Sequence, residues 1–150
     1  MPDRVEFELV TPERLLLSEM VEMVVVPGTE GNFGVLPGHA PLVSTIRPGM
    51  IEIYEGQTVT RRIFIVSGIA EVTPERCTVL ADEAISLDTL DRGAIEADLR
   101  ILEGNLPSLR EQVARAAETE RERLLIELHR LEREQAVLIA KLQALSEVAH

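Results

Sequence analysis

At 150 residues and 16.6 kDa, the chain is long enough for one ordinary domain, or for a small domain with an appendage. A formal charge of −11, 3% aromatic residues and no Trp argue against nucleic acid, whose phosphates need clustered positive charge and whose unpaired bases need stacking rings. Apolar runs such as Val24 to Val26 and Leu124 to Ile126 fall far short of the roughly 20 residues of a membrane span, so no direct membrane insertion is expected.

The opening MPDRVEFELV carries Asp3, Glu6 and Glu8 where a signal peptide has a basic segment and then an apolar one, so nothing marks export. From residue 4, Val5, Phe7 and Leu9 alternate with Arg4, Glu6, Glu8 and Val10, the period of two that gives a sheet one buried face. The theme recurs in VEMVVV at 21–26, MIEIY at 50–54, RIFIV at 62–66 and CTVLA at 77–81. Turn formers separate these runs, namely Thr11-Pro12, Pro27-Gly28, Pro48-Gly49, Glu55-Gly56, Ser67-Gly68 and Thr73-Pro74. This punctuation predicts an all-β N-terminal sandwich or barrel of about ten short strands, ending near residue 82. Cys77 is alone, which excludes an internal disulfide, and its alternating context predicts a core position.

Beyond residue 84 the period changes. Ile95, Leu99, Leu102, Leu106, Leu109, Val113 and Ala116 form one seam at spacings of four and three, and Leu124, Leu128, Leu131, Gln135, Leu138, Leu142 and Leu145 form a second. The strong break is GNLPS at 104–108: Gly104 suits the position past a helix end, Pro107 stops a helix, and Ser108 with Glu111 makes a capping box. The preferred reading is therefore a helix over 90–103 and a second, much longer one over 109–146, which a short partner cannot cover. The competing reading is one helix kinked at Pro107 that turns back between Ala117 and Arg121, against which AAETERER offers no turn residue.

Little in the chain suggests catalysis. Of the three histidines, His39 lies in a Gly/Pro loop, His129 in a helix and His150 at the end, with no Cys/His cluster or HxxH spacing to hold a metal. No phosphate-cradling GxxxxGK[ST] occurs, and Pro37 and Pro41 forbid the helix that a dinucleotide fingerprint through Gly28, Gly31 and Gly34 would need. The loop GNFGVLPGHAP at 31–41 suits a preshaped protein contact instead, because its prolines and glycines set the backbone in advance.

The segment GTEGNFGVLPGHAPLVSTIRPG at 28–49 resembles the hallmark stretch of the epsilon subunit of bacterial F-type ATP synthases, called delta in mitochondria. FELVTPERLLLSEMVEMVVVPG before it and FIVSGIAEVTPERCTVLADEAI after it follow the same family order, strongly to about residue 87 and in character beyond. The resemblance implies a β-sandwich over 1–86 and a two-helix antiparallel, regulatory hairpin over 87–150. It implies a non-catalytic, cofactor-free rotor part, bound to the gamma subunit and resting on the c-subunit ring, at the cytoplasmic face of the bacterial inner membrane. The residues implied at the c-ring and gamma interface are Glu30, Gly31, Asn32, Phe33, Gly38 and His39.

The hairpin of that family can extend toward the alpha and beta catalytic subunits and restrain hydrolysis. Arg110, Arg115, Arg121, Arg123, Arg130 and Arg133 are the residues here that would meet acidic segments; the plain alternative is solvated faces with pairs such as Glu127 with Arg123. Some members bind ATP through Ile/Leu-Asp-x-x-Arg-Ala. Here the stretch is Leu87-Asp88-Thr89-Leu90-Asp91-Arg92-Gly93, one residue longer between Asp88 and Arg92 and with Gly93 for Ala. On a helix the insertion turns Arg92 by about 100° from Asp88, so no nucleotide is expected there. The alternative to the whole family reading is a β-sandwich and coiled-coil module that homodimerises through its leucine seams.

Overall fold

The computed structural model of the protein describes residues 3–148, so Met1, Pro2, Ala149 and His150 lie outside the described residues. Ten strands come first: β1 Val5–Val10, β2 Leu15–Val21, β3 Met23–Gly28, β4 Gly31–Val35, β5 Leu42–Ile46, β6 Gly49–Glu55, β7 Thr58–Ile65, β8 Gly68–Val72, β9 Arg76–Ala81 and β10 Ala84–Ser86. They form a sandwich. Its strand order is β10-β7-β6-β3-β5-β8-β9-β1-β2, with β4 paired to β3 alone. All pairings are antiparallel except β1 with β9. Along β1 the odd positions Val5, Phe7 and Leu9 are buried and the even ones are not, which is the alternation that the sequence shows.

The core gathers the inward residues of both layers, including Phe7, Val24, Val26, Val35, Ile51, Ile53, Val79 and Cys77, all essentially inaccessible. Cys77 is thus a packing residue. Strand pairing continues past residue 82 through β10, and a 3-10 turn at Leu87–Thr89 buries Leu87, so the first compact unit runs to Thr89. β10 was hidden in the sequence because its three residues are too few to show a period.

The second unit begins at Leu90 and holds two helices, α1 Arg92–Arg115 and α2 Glu118–Val148. The preferred reading of a break at 104–108 is overturned: α1 passes through Pro107, as the competing reading held, and the chain reverses at Ala116–Ala117, just before the Ala117 to Arg121 stretch where that reading placed the turn. Consequently α1 spans about 36 Å and α2 about 46 Å at 1.5 Å per residue, far closer in length than a 90–103 helix would allow.

The physical reason is the seam. Ending α1 near residue 103 would interrupt Leu102, Leu106, Leu109 and Val113, three of which are buried against α2 and each stabilising by about 1.5–3 kcal/mol. Those contributions outweigh a mid-helix proline at roughly 3 kcal/mol. Pro107, Glu103 and Gly104 are all exposed, so the carbonyl of Glu103, which loses its i+4 donor, faces water. The capping box does not form: Ser108 Oγ lies 3.5 Å from Gln112 Nε2 and Glu111 pairs with Arg115.

At the reversal Ala116 is extended (φ −71°, ψ 145°), a conformation that needs no special residue, and the Ala117 carbonyl accepts from the amides of Glu120 and Arg121. Glu118 and Glu120 then sit in the first turn of α2, where the helix dipole favours them. Cross-helix bonds from Arg92 to Ser146, Gln135 to Glu103 and Arg110 to Glu132 show the antiparallel register.

Two outcomes follow from this packing. Pro107→Ala should stabilise the hairpin by up to about 3 kcal/mol in denaturation followed by far-UV circular dichroism; a chain broken at 104–108 would show no gain. Burial pushes the Cys77 thiol from 9.0 up to about 12. Folding therefore holds a proton that the unfolded chain releases, so stability is intact below about pH 9 and falls as pH rises toward 12, by at most about 1.4 kcal/mol per pH unit. The slope of stability against pH above 9 should flatten in Cys77→Ala; an unchanged slope would contradict a proton held at Cys77.

Candidate interaction site

The Gly/Pro loop resolves into two separate features. At the first, β3 and β4 pair from Val24↔Val35 to Gly28↔Gly31 and leave Thr29 and Glu30 as an exposed two-residue tip. Neither has positive φ, so the tip is not the mirror-image turn usual in such hairpins. Gly31, at φ +134°, takes up the reversal, a conformation that a side chain would resist. Gly28 is needed for space: a Cβ there would lie 2.9 Å from both the Gly31 carbonyl oxygen and Phe33 Cε1.

Phe33 is half-buried against the core and anchors the turn from below. The chain then returns through β5 to fasten it from the side. The Thr29 amide donates to the Thr45 carbonyl at 3.0 Å, and the two threonine hydroxyls lie 2.9 Å apart. Arg47 donates through its amide to Pro27 O (3.0 Å), through Nη1 to Gly28 O (2.7 Å) and through Nη2 to Asn32 Oδ1 (2.7 Å). The tip is rigid at its base and open at its end.

Gly38 and His39 belong to the second feature. β4 is extended and separates them from the Glu30 tip by about 14 Å at roughly 3.4 Å per residue, so the six residues expected at the interface are not one patch. Gly38, at φ +82°, donates to Pro74 O at 2.7 Å, which ties this loop to the turn between β8 and β9. His39 Nδ1 donates to the Ala40 carbonyl at 2.7 Å. Among the described residues no cluster of three or more His, Cys, Asp or Glu side chains stands ready for a metal, and no helix is long and apolar enough to cross a membrane.

This sandwich matches a known one. Residues 4–87 fit the profile of the β-sandwich domain of the ATP synthase delta/epsilon chain. An ATP synthase epsilon chain from Rhodospirillum rubrum is 55% identical over 116 residues, covering 77% of this chain and 87% of the relative. The chain belongs to the ATP synthase delta/epsilon family.

A second epsilon chain of the family, from Maricaulis maris, is 43% identical over 150 residues, 99% of this chain and 98% of the relative. The match thus includes the helices. In fold, the chain is also similar to a chain of the Euglena gracilis mitochondrial ATP synthase structure, at a TM-score of 0.64 and 24% identity, covering all of this chain and 84% of that one.

In the helical unit, the arginines singled out for the family's regulatory arm divide into two groups. Arg110 pairs across the hairpin with Glu132 (3.3 Å), Arg115 with Glu111 (2.8 Å), Arg123 with Glu120 (3.1 Å), and Arg130 with Glu127 (2.7 Å) and Glu134 (3.8 Å). Glu127 therefore pairs with Arg130 rather than Arg123, and the Arg130 hydrogen bond pulls its carboxyl below the usual range. Arg121 and Arg133 have no carboxylate partner among the described residues and remain free to meet one elsewhere. At the nucleotide stretch, Asp88 accepts from Ser86 Oγ, while Arg92 faces Glu96 and Ser146.

Sequence reading missed Arg47 and Thr45, the fasteners of the turn. The one available signal was a lone arginine between an apolar strand and Pro48-Gly49. Gly28→Ala should cost about 1–3 kcal/mol of sandwich stability in urea denaturation and speed amide exchange at Thr29 to Asn32; unchanged values would mean that the crowding at Gly28 is relieved without cost.

Proposed function

We propose that the chain is the central-stalk rotor subunit of an F-type ATP synthase, a non-catalytic part that couples c-ring rotation through gamma to the alpha and beta catalytic subunits. The observation that carries this reading is the agreement along nearly the whole chain with a relative named as an ATP synthase epsilon chain, sandwich and helices together. Geometry supports it. A rotor part must transmit torque without yielding, and the Thr29–Asn32 tip is held by backbone pairing, an aromatic anchor and the Arg47 bracket. On this reading Glu30, Gly31 and Asn32 meet the polar loops of the c-ring, and the Gly38–His39 loop, at the far end of β4, meets gamma. The chain would then sit at the cytoplasmic face of the bacterial inner membrane, held there by its partners.

The helical unit is the regulatory arm in this proposal. Its seams stay half-exposed at Leu124, Leu125, Leu131, Leu142 and Leu145, so the hairpin has apolar surface left for another partner. Arg121 and Arg133 offer unpaired charge to acidic segments of the catalytic subunits. The same half-exposed leucines favour the second reading, a homodimer through the seams. A monomer that co-purifies with gamma supports the first, and a stable dimer indifferent to gamma supports the second.

The deciding experiment is ATP hydrolysis by the reconstituted complex with the full chain and with a chain ended after Thr89, which retains the buried Leu87 and the Thr89 to Ser86 bond of the first unit. We expect a rise of roughly threefold or more on truncation, about 0.7 kcal/mol of barrier, with gamma binding kept. Equal rates would leave the hairpin as an assembly element.

A further inference from the structure

The bracket on the turn fixes more than its shape. A guanidinium only donates hydrogen bonds, so the Asn32 atom that lies 2.7 Å from Arg47 Nη2 is the side-chain oxygen. With that oxygen turned toward Arg47, the amide nitrogen of an exposed residue carries both of its N–H groups away from the bracket. Both acceptors held by the Arg47 side chain, Gly28 O and Asn32 Oδ1, are neutral, so its role at the turn is to hold and orient rather than to neutralise a carboxylate.

We infer that Arg47 is a positioning residue that sets Asn32 as an outward hydrogen-bond donor, and that the turn thereby selects an acceptor, a carbonyl or carboxylate, on the protein loop it docks against. The inference rests on the reading of the tip as a rotor contact. It adds which atoms make that contact and which chemistry answers them. Glu30, two residues before Asn32 at the same exposed tip, is acceptor-only when ionised, so the tip presents one donor and one acceptor in fixed order. A partner loop with the reverse order pairs with both, and one with the same order leaves two groups unpaired.

The discriminating variant is Asn32→Asp. An aspartate keeps the bond to Arg47 and strengthens it into an ion pair, yet it has no N–H to offer. A purely structural Asn32 would tolerate the change. In the full chain, Asn32→Asp should melt at or above the wild-type temperature. It should bind an ATP synthase complex depleted of this chain about tenfold more weakly, the loss of one interfacial hydrogen bond. Affinity for the ring-free catalytic head with gamma should be unchanged. Arg47→Lys, which cannot bridge both acceptors, should weaken binding to the whole complex and speed amide exchange at Thr29 to Asn32.

Wild-type affinity in Asn32→Asp would overturn the inference. Glu30→Arg separates that failure from failure of the rotor reading: if it weakens binding while Asn32→Asp does not, only the donor assignment falls. If neither variant changes affinity, the tip is not a contact and the proposed docking of the turn falls as well.

Discussion

The two halves of the sandwich are joined at two places, by the pairing of Gly28 with Ile46 and by the backbone bonds from Val66 N–H to Glu83 O and from Asp82 N–H to Ser67 O, and the arrangement of the exposed turn depends on the first. On one side lie β10, β7, β6 and β3, on the other β5, β8, β9, β1 and β2. The pair of Gly28 with Ile46 is held by the two backbone bonds that flank it, Arg47 N–H to Pro27 O and Thr29 N–H to Thr45 O, each worth about 1 kcal/mol as a net contribution. Side chains reinforce it with two more, Arg47 Nη1 to Gly28 O and the bond between the Thr29 and Thr45 hydroxyls. The close approach also requires small residues, since a Cβ at Gly49 would lie 2.8 Å from Pro27 Cβ, as one at Gly28 would press on Phe33. The glycines and prolines that look like loop composition are thus packing requirements of the join.

The helical unit has the opposite character. Two helices can share one seam but cannot surround it, so its leucines divide into a fully buried set, such as Leu102, Leu106, Leu128 and Leu138, and a half-buried set that faces outward. Its cross-helix polar bonds are exposed pairs, each worth at most about 1 kcal/mol. A proline inside α1 lowers its margin again. Such a unit is held together mainly by apolar contacts that another apolar surface can replace at little cost, which suits an arm that changes partners.

Legibility of the sequence followed from how many residues each feature uses. The alternation of β1 and the heptad-like seams repeat over many positions; the alternation singles out buried residues, and the seams single out residues that are buried or half-buried in the hairpin. Strands β2, β4, β5, β8 and β10 were less visible: LLLSEMV does not alternate, and the others run to five residues or fewer. The helix boundary was misread because Gly104 and Pro107 are strong local signals, whereas the burial of Leu106 and Val113 is a tertiary effect. The reversal used two alanines in ordinary conformations and so left no local mark. His39 looked near the Glu30 tip because sequence distance ignores the length of an intervening strand.

Charge distribution sharpens the contrast between the two units. Around the sandwich, arginines are paired to carboxylates on neighbouring strands, as Arg76 is with Glu6 and Glu8, and Arg4 with Glu22 and Glu55. Those pairs raise the already high arginine values and keep the guanidiniums charged at any relevant pH. Arg47 departs from this pattern by binding a carbonyl and an amide, and Arg14, Arg100, Arg121 and Arg133 by having no carboxylate partner among the described residues. In a chain of net charge −11, guanidiniums without an internal carboxylate are the positions where an external acceptor gains most. Of these five, Arg47 lies at the turn and Arg100, Arg121 and Arg133 in the helical unit, the places where the proposed rotor role requires contact with other proteins, whereas Arg14 lies between β1 and β2, where that role names no contact.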